Sequence, residues 1–263
     1  MNYSNRGNFL SQIPPVTRNL LIINVALWLV IMICGNASSS LRQFADFLVN
    51  HLGLHFWESE LFNPAQFVSY MFVHDPSNPM HILFNMFTLW MFGRMMEQVW
   101  GSARFLVFYM ICGLGAALVQ ELVWHFTWMH DLVSRLAVLN GTSYEAMDQI
   151  VLQGLANHSP DAVAAVKMFQ NNMVTIGASG AIFGVLLGFA FMFPNLPLYL
   201  FFIPVPIKAK YMVIGYGVLE FFLGVSQSDS SVAHFAHLGG MLFGLILLLY
   251  WKHKGTLTGG RRF

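Results

Sequence analysis

Gly177-Ala178-Ser179-Gly180-Ala181 opens an uncharged run that continues to Phe193 and is stopped by Pro194 and Pro197. Small residues around a serine, at the mouth of an apolar helix, read two ways. The serine is a packing or capping residue, which is the commoner case, or it is a nucleophile waiting for a base. The rest of the chain has to decide.

The apolar pattern of 177–193 recurs along the chain. Runs at 20–34, 81–96, 104–128, 211–225 and 232–251 each approach the length that crosses a bilayer. Composition agrees. The 263 residues are 56% hydrophobic and only 10% charged, where a soluble domain carries about 25% charged residues. A chain so poor in charge lacks the residues to cover a water-facing surface. The expected fold is therefore all-α: a polytopic membrane protein with a six-helix transmembrane bundle. The net charge of +1 gives no hint of nucleic-acid binding, and none is expected. Cys34 and Cys112 both lie in apolar runs, so they predict neither a disulfide framework nor a metal site.

Three parts follow. Residues 1–18 form a polar segment, 19–251 the six-span domain, and 252–263 a basic tail. Gly35-Asn36-Ala37-Ser38-Ser39 has the small residues of a signal-peptidase site. The first span is read as retained, because the later spans need it to set their orientation. Residues 36–79 form a long loop whose aromatic runs are too short to cross and lie at the interface. His51, His55 and His74 in it read as interfacial rather than as metal ligands. His125 and His130 also read as interfacial. Residues 129–172 are a polar insertion with two short helices. The first opens on the capping-box pattern Thr142-Ser143-Tyr144-Glu145; the second opens on Ser159-Pro160-Asp161 and closes at Asn171-Asn172.

Charge sets the expected topology. Arg6, Arg18, Arg94, Arg104, Lys208, Lys210, Lys252, Lys254, Arg261 and Arg262 fall on one side of a six-span arrangement; Arg42, Arg135 and Lys167 fall on the other. Positive residues accumulate on the cytoplasmic side, so both termini are placed there. The expected membrane is a bacterial inner membrane.

Topology then brings polar residues to one depth. The second, fourth and sixth spans start at the outer face. Counted back from their inner ends at 1.5 Å per residue, His81, Ser179 and His237 all sit roughly 20–24 Å above the inner edge of the apolar core. His81 and Asn85 are four apart and share a helix face. Gly180, Gly184 and Gly188 make a smooth stripe, as do Ala236, Gly240 and Gly244. Such stripes let membrane helices approach closely, which would bring Ser179 within reach of an imidazole. His237 is the expected base, and His234, three residues earlier, is an alternative. Glu220, on the fifth span, reads two ways: as a functional residue or, near the outer end, as one that simply reaches water. With no intramembrane Asp at this depth to orient His237, a Ser–His dyad is the expectation.

The chain resembles the rhomboid family of intramembrane serine proteases. The resemblance rests on 64–74, on His81-Ile-Leu-Phe-Asn85, on Phe92-Gly-Arg-Met-Met-Glu97, on Gly177-Ala-Ser179-Gly-Ala-Ile-Phe-Gly184 and on Ala233-His-Phe-Ala-His237-Leu-Gly-Gly. It covers most of the chain apart from the amino terminus, the insertion and the tail. The resemblance implies Ser179 as nucleophile and His237 as general base. It implies an oxyanion site from His81, Asn85 and the Ser179 backbone N–H, with Gly177 in the same loop. His234 matches a position where relatives carry another polar residue. The implied substrates are transmembrane or juxtamembrane segments of other membrane proteins, cleaved within the lipid bilayer without cofactor or metal. Two features depart from the pattern. A Trp-Arg pair common in the first outer loop is absent, and a frequent tyrosine is Phe183, whose ring is still expected to pack on His237. The insertion, longer than usual, is expected on the outer face near the active-site mouth. Two other functions stay open: a silent rhomboid-like protein that binds or escorts membrane clients, and a transporter.

Overall fold

The structure, a computed structural model, describes residues 12–200, 203–226 and 233–257. Arg6, Arg261, Arg262, the polar loop 227–231 and the start of the sixth span at Val232 lie outside the described residues. The chain is an all-α helical membrane protein with two small antiparallel strand pairs.

The first span is α1 (Pro15–Gly35), with proline at its first turn, where no backbone N–H is missed. Its remaining first-turn donors are met from far away. The Glu97 carboxylate accepts from Val16 N at 2.9 Å, Thr17 N at 2.7 Å and Thr17 Oγ1 at 2.8 Å, and from Ser102 Oγ at 2.7 Å. One carboxylate thus caps a helix start and ties it to the turn between the second and third spans. The loop after α1 is more ordered than expected. It contains α2 (Ser39–Leu52), the two-residue strand β1 (Leu54–His55), α3 (Gln66–Ser69) and a 3₁₀ turn (Tyr70–Phe72). Leu41, Phe44 and Phe47 are exposed on α2 while Ala45 is buried against Ile31 and Val73. That pattern suits a helix lying in the interface.

The second span is α4 (Pro79–Thr88) and α5 (Arg94–Trp100), joined through a π-turn at Leu89–Gly93. The third, α6 (Ser102–Asn140), has 39 residues and ends at Gly141 in the left-handed region. At 1.5 Å per residue it is about 58 Å long, nearly twice an apolar core of about 30 Å. The insertion therefore does not begin at 129 with a break; its first twelve residues extend the helix. The insertion's two helices are present as α7 (Tyr144–Ala156) and α8 (Pro160–Asn171). The cap of α7 is Ser143, which accepts from Ala146 N at 3.2 Å, one residue later than the Thr142 box predicts.

After strand β2 (Val174–Thr175) comes α9 (Ser179–Met192). A hairpin absent from the sequence reading follows: β3 (Pro197–Leu200) pairs antiparallel with β4 (Ile203–Lys208). Then come α10 (Ala209–Val225) and α11 (His234–His253). By length and apolarity α1, α6 and α11 qualify as spans, and α9 is a shorter apolar helix. Apolar side chains such as Ile33, Phe126, Ile214, Phe222 and Ile246 face outward, as lipid solvation requires.

The core sits where α6, α9 and α11 meet. The two glycine stripes face each other there. A Cβ on Gly240 would fall 1.8 Å from the Gly180 carbonyl oxygen, and one on Gly184 would fall 2.4 Å from Cys112 Sγ on α6. These helices touch backbone to backbone, which is possible only without side chains at the crossing.

Candidate active site

Close packing of α9 on α11 delivers the contact that the sequence left open. Ser179 Oγ lies 2.7 Å from His237 Nε2. The imidazole is held in its plane by Phe183, one turn into α9: the rings are 4.2 Å apart and inclined by 6°. His237 is 7% exposed, and Ser179 is half-buried.

The other edge of His237 meets a residue that the sequence reading placed elsewhere. Glu220 Oε2 is 2.9 Å from His237 Nδ1 and 2.6 Å from His234 Nδ1. Its side chain is 12% exposed, so it does not simply reach water. The expectation that no acid reaches His237 is corrected here. The error lay in measuring Glu220 from the outer end of its helix. Measured from Ala209, it stands roughly 16 Å up, near the depth of the other polar groups. The legible signal was spacing: Val213, Tyr216, Gly217, Glu220 and Gly224 share one face of α10. That face meets α11 and α9 through Gly217 beside Met241, Gly224 beside Phe235 and Tyr216 beside Phe183.

His234 is not brought to Ser179 by its Nδ1. That atom is spent on Glu220, on the edge of His237 opposite the serine, and its ring stands at 90° to His237. The donor atoms of Glu220, His234 and His237 lie within 4.8 Å of one another, a set that a metal ion accepts. Separations of 2.6 and 2.9 Å are direct hydrogen bonds, however. Two ligands around a tetrahedral zinc stand about 3.3 Å apart.

The loop before Ser179 passes close against His81. Gly177 has φ +124°, a conformation that a side chain resists, and donates its N–H to the Tyr70 carbonyl at 2.9 Å. A Cβ there would lie 2.8 Å from His81 Nε2 and 3.8 Å from Ser179 Oγ, so the imidazole and the hydroxyl border one point. The first N–H groups of α9 have no partner within the helix. Asn85 is buried and uses one amide N–H on the His81 carbonyl at 2.9 Å, leaving its second donor.

Support for this loop comes from Tyr70 and from His74, which the sequence reading placed at the interface without a role in the site. Tyr70 Oη donates to the Gly113 carbonyl at 2.8 Å, fixing the segment that receives Gly177. His74 is fully buried, stands 5.0 Å ring to ring from His81, and faces the Ala178 N–H at 3.5 Å. It lies outside the spans, and burial, then the neighbouring His81, pushes its pKa down. β1 pairs with β2 two residues before Gly177, with Leu54 opposite Thr175.

The family model "Rhomboid domain" matches residues 61–143 and 150–254. The chain belongs to the rhomboid family. Among curated proteins this rhomboid is similar to "Rhomboid protein 1, mitochondrial" of Saccharomyces cerevisiae (strain ATCC 204508 / S288c). They are 26% identical over 166 residues, which cover 63% of this chain and 36% of that protein. The chain therefore matches well under half of that relative's length. The rhomboid match also runs through most of the insertion, missing only 144–149 within it. The insertion is thus less foreign to the family than the motifs alone implied.

Proposed function

We propose that this rhomboid is an intramembrane serine endopeptidase that hydrolyses peptide bonds in or near transmembrane segments of other membrane proteins. The observation that carries the reading is the 2.7 Å contact between Ser179 Oγ and His237 Nε2 at the start of a membrane helix.

In the proposed reaction His237 Nε2 takes the Ser179 proton as Oγ attacks the scissile carbonyl carbon. The carbonyl oxygen becomes an anion. It is received by the Ser179 backbone N–H, the free amide donor of Asn85 and a ring N–H of His81. Collapse of the tetrahedral adduct passes the proton from His237 to the leaving amine and leaves an ester on Ser179. Water then attacks the ester with His237 again as base, releasing the acid and restoring the hydroxyl. Gly177 keeps the loop open for the oxygen. Hydrolysis needs water, and the half-buried setting of Ser179 fits a cavity open to one side of the membrane. Substrate helices must unwind to present a carbonyl, so residues that weaken helices favour cleavage.

The charge distribution supports cytoplasmic termini and a site opening to the outer face, and the proposed location is a bacterial inner membrane. In this orientation the insertion stands at the outer rim. Its Asn171 carbonyl meets His55 Nδ1 at 3.2 Å, and Lys167 meets Glu60 at 2.7 Å. Lipid surrounds the bundle, and transmembrane proteins are the substrates.

The test is cleavage of a model transmembrane substrate by purified protein in liposomes. Wild type should cleave, Ser179→Ala and His237→Ala should not, and a fluorophosphonate should label Ser179 in the wild type alone. An inactive wild type that still retains membrane clients would mark a silent rhomboid-like protein instead.

A further inference from the structure

Taking Ser179 and His237 as nucleophile and base, we infer that Glu220 is a positioning residue for catalysis. It holds His237 in its working tautomer and rotation, so the site is a serine–histidine–glutamate triad with the acid on a separate helix.

A neutral imidazole carries one ring proton. For Nε2 to accept the serine proton, that ring proton must be on Nδ1. Phe183 fixes the plane of the ring through the 4.2 Å stack but cannot choose its edge. A half-turn about the ring axis leaves the stack intact while pointing carbon instead of nitrogen at Ser179. The Glu220 oxygen, 2.9 Å from Nδ1, removes that freedom, because an ionised carboxylate accepts and never donates. When His237 becomes an imidazolium, the same oxygen is the adjacent counter-charge. The proton stays on Nδ1 throughout.

Glu220 is itself held. Its Oε2 also accepts from His234 Nδ1 at 2.6 Å, and both partners are side chains of α11 while Glu220 belongs to α10. A carboxylate with only 12% of its side chain exposed, in a membrane domain, is costly unless donors surround it. Two imidazole N–H groups on one oxygen are such a setting. The cost and the geometry together argue that this acid is kept for the base it touches.

The experiment uses the full chain in liposomes, with kcat and KM measured separately on a model transmembrane substrate. Glu220→Gln can rotate its amide to donate to Nδ1 and so force the proton onto Nε2. In soluble triad proteases the equivalent change costs about 10,000-fold in kcat. Here, with Phe183 still holding the ring, kcat should fall about 10- to 100-fold with KM within about twofold, and Glu220→Asp should recover part of the loss. A kcat within about twofold of wild type for both Glu220→Gln and Glu220→Leu overturns the inference. So does an effect confined to KM. If these variants do not fold, ¹⁵N-histidine NMR of the wild type decides. A proton on His237 Nδ1 with a downfield, hydrogen-bonded resonance supports the inference, and a proton on Nε2 overturns it. Cleavage retained by Ser179→Ala removes the protease reading and this inference together. Loss in Ser179→Ala and His237→Ala beside unaffected Glu220 variants removes this inference alone.

Discussion

Phe183 and His237 stack face to face, 4.2 Å apart and 6° from parallel, although they belong to α9 and α11 and lie 54 positions apart in the sequence. The ring that holds the imidazole sits one turn after Ser179, so a single helix carries both the hydroxyl and the platform for the imidazole it meets.

This arrangement predicts a graded response at position 183. An aromatic contact of this kind is worth about 0.5–1.5 kcal/mol beyond area burial. Phe183→Ala should lower kcat about 3- to 10-fold, whereas Phe183→Tyr, which keeps the ring, should stay within about twofold. Steady-state cleavage of a model substrate checks both. Equal losses for Ala and Tyr would refute the platform role.

The α9–α11 crossing predicts intolerance to a single methyl. Gly240→Ala puts a Cβ 1.8 Å from the Gly180 carbonyl oxygen, so the backbones must separate. Overpacking of this severity should cost about 3 kcal/mol or more and pull Ser179 away from His237. Gly215→Ala is the control. Nothing lies within 4 Å of its Cβ, and in a helix the change should be neutral or gain up to about 1 kcal/mol. Thermal unfolding in detergent separates the two.

Glu97 should be a stability residue with no direct part in chemistry. Its carboxylate accepts two backbone N–H groups at the start of α1 and the hydroxyls of Thr17 and Ser102. Glu97→Ala leaves those buried donors unmet and should cost about 3 kcal/mol. The expected signature is a lower Tm with near-normal kcat in the fraction that remains folded.

His74 and His55 predict acid sensitivity of the loop between α1 and α4. Burial lowers the pKa of both below the ordinary histidine value. The unfolded chain therefore binds more protons than the native one once pH falls below about 6.5, and stability declines from there downward. Tm should be lower at pH 5 than at pH 7.5. His74→Asn should remove part of that slope, with the His55 contribution remaining. A pH-independent Tm in both proteins would refute this.

The insertion should act on substrates rather than on the serine. Replacing α7 and α8 by a short linker removes the Lys167–Glu60 pair and the support of α8 beside β1. Cleavage of at least one transmembrane substrate should change several-fold, while the rate of Ser179 labelling by a small fluorophosphonate changes less. No change towards any substrate would remove the proposed role in access.

Apolar runs, charges and helix-start signals were enough for the membrane class, the order of spans, the start of α8 at Ser159 and Pro160, and the expectation that His81, Ser179 and His237 share one depth. Each rests on local or one-dimensional physics: apolar run length, residues that stop helices, and a fixed rise per residue. The facing glycine stripes were legible for the same reason, since their period marks one helix face. Which histidine meets Ser179, the closing of Glu220 on the other edge of His237, and the bracing of the loop around Gly177 by His74 and Tyr70 emerge only from how the helices pack. Those relations depend on the rotation of α10 against α11 and on how a long loop folds back. Neither is encoded in the period of any one segment. The strand pair of β3 and β4 was hidden because its prolines read as stops, and the extension of α6 because polar residues in a helix leaving the membrane look like the end of a helix.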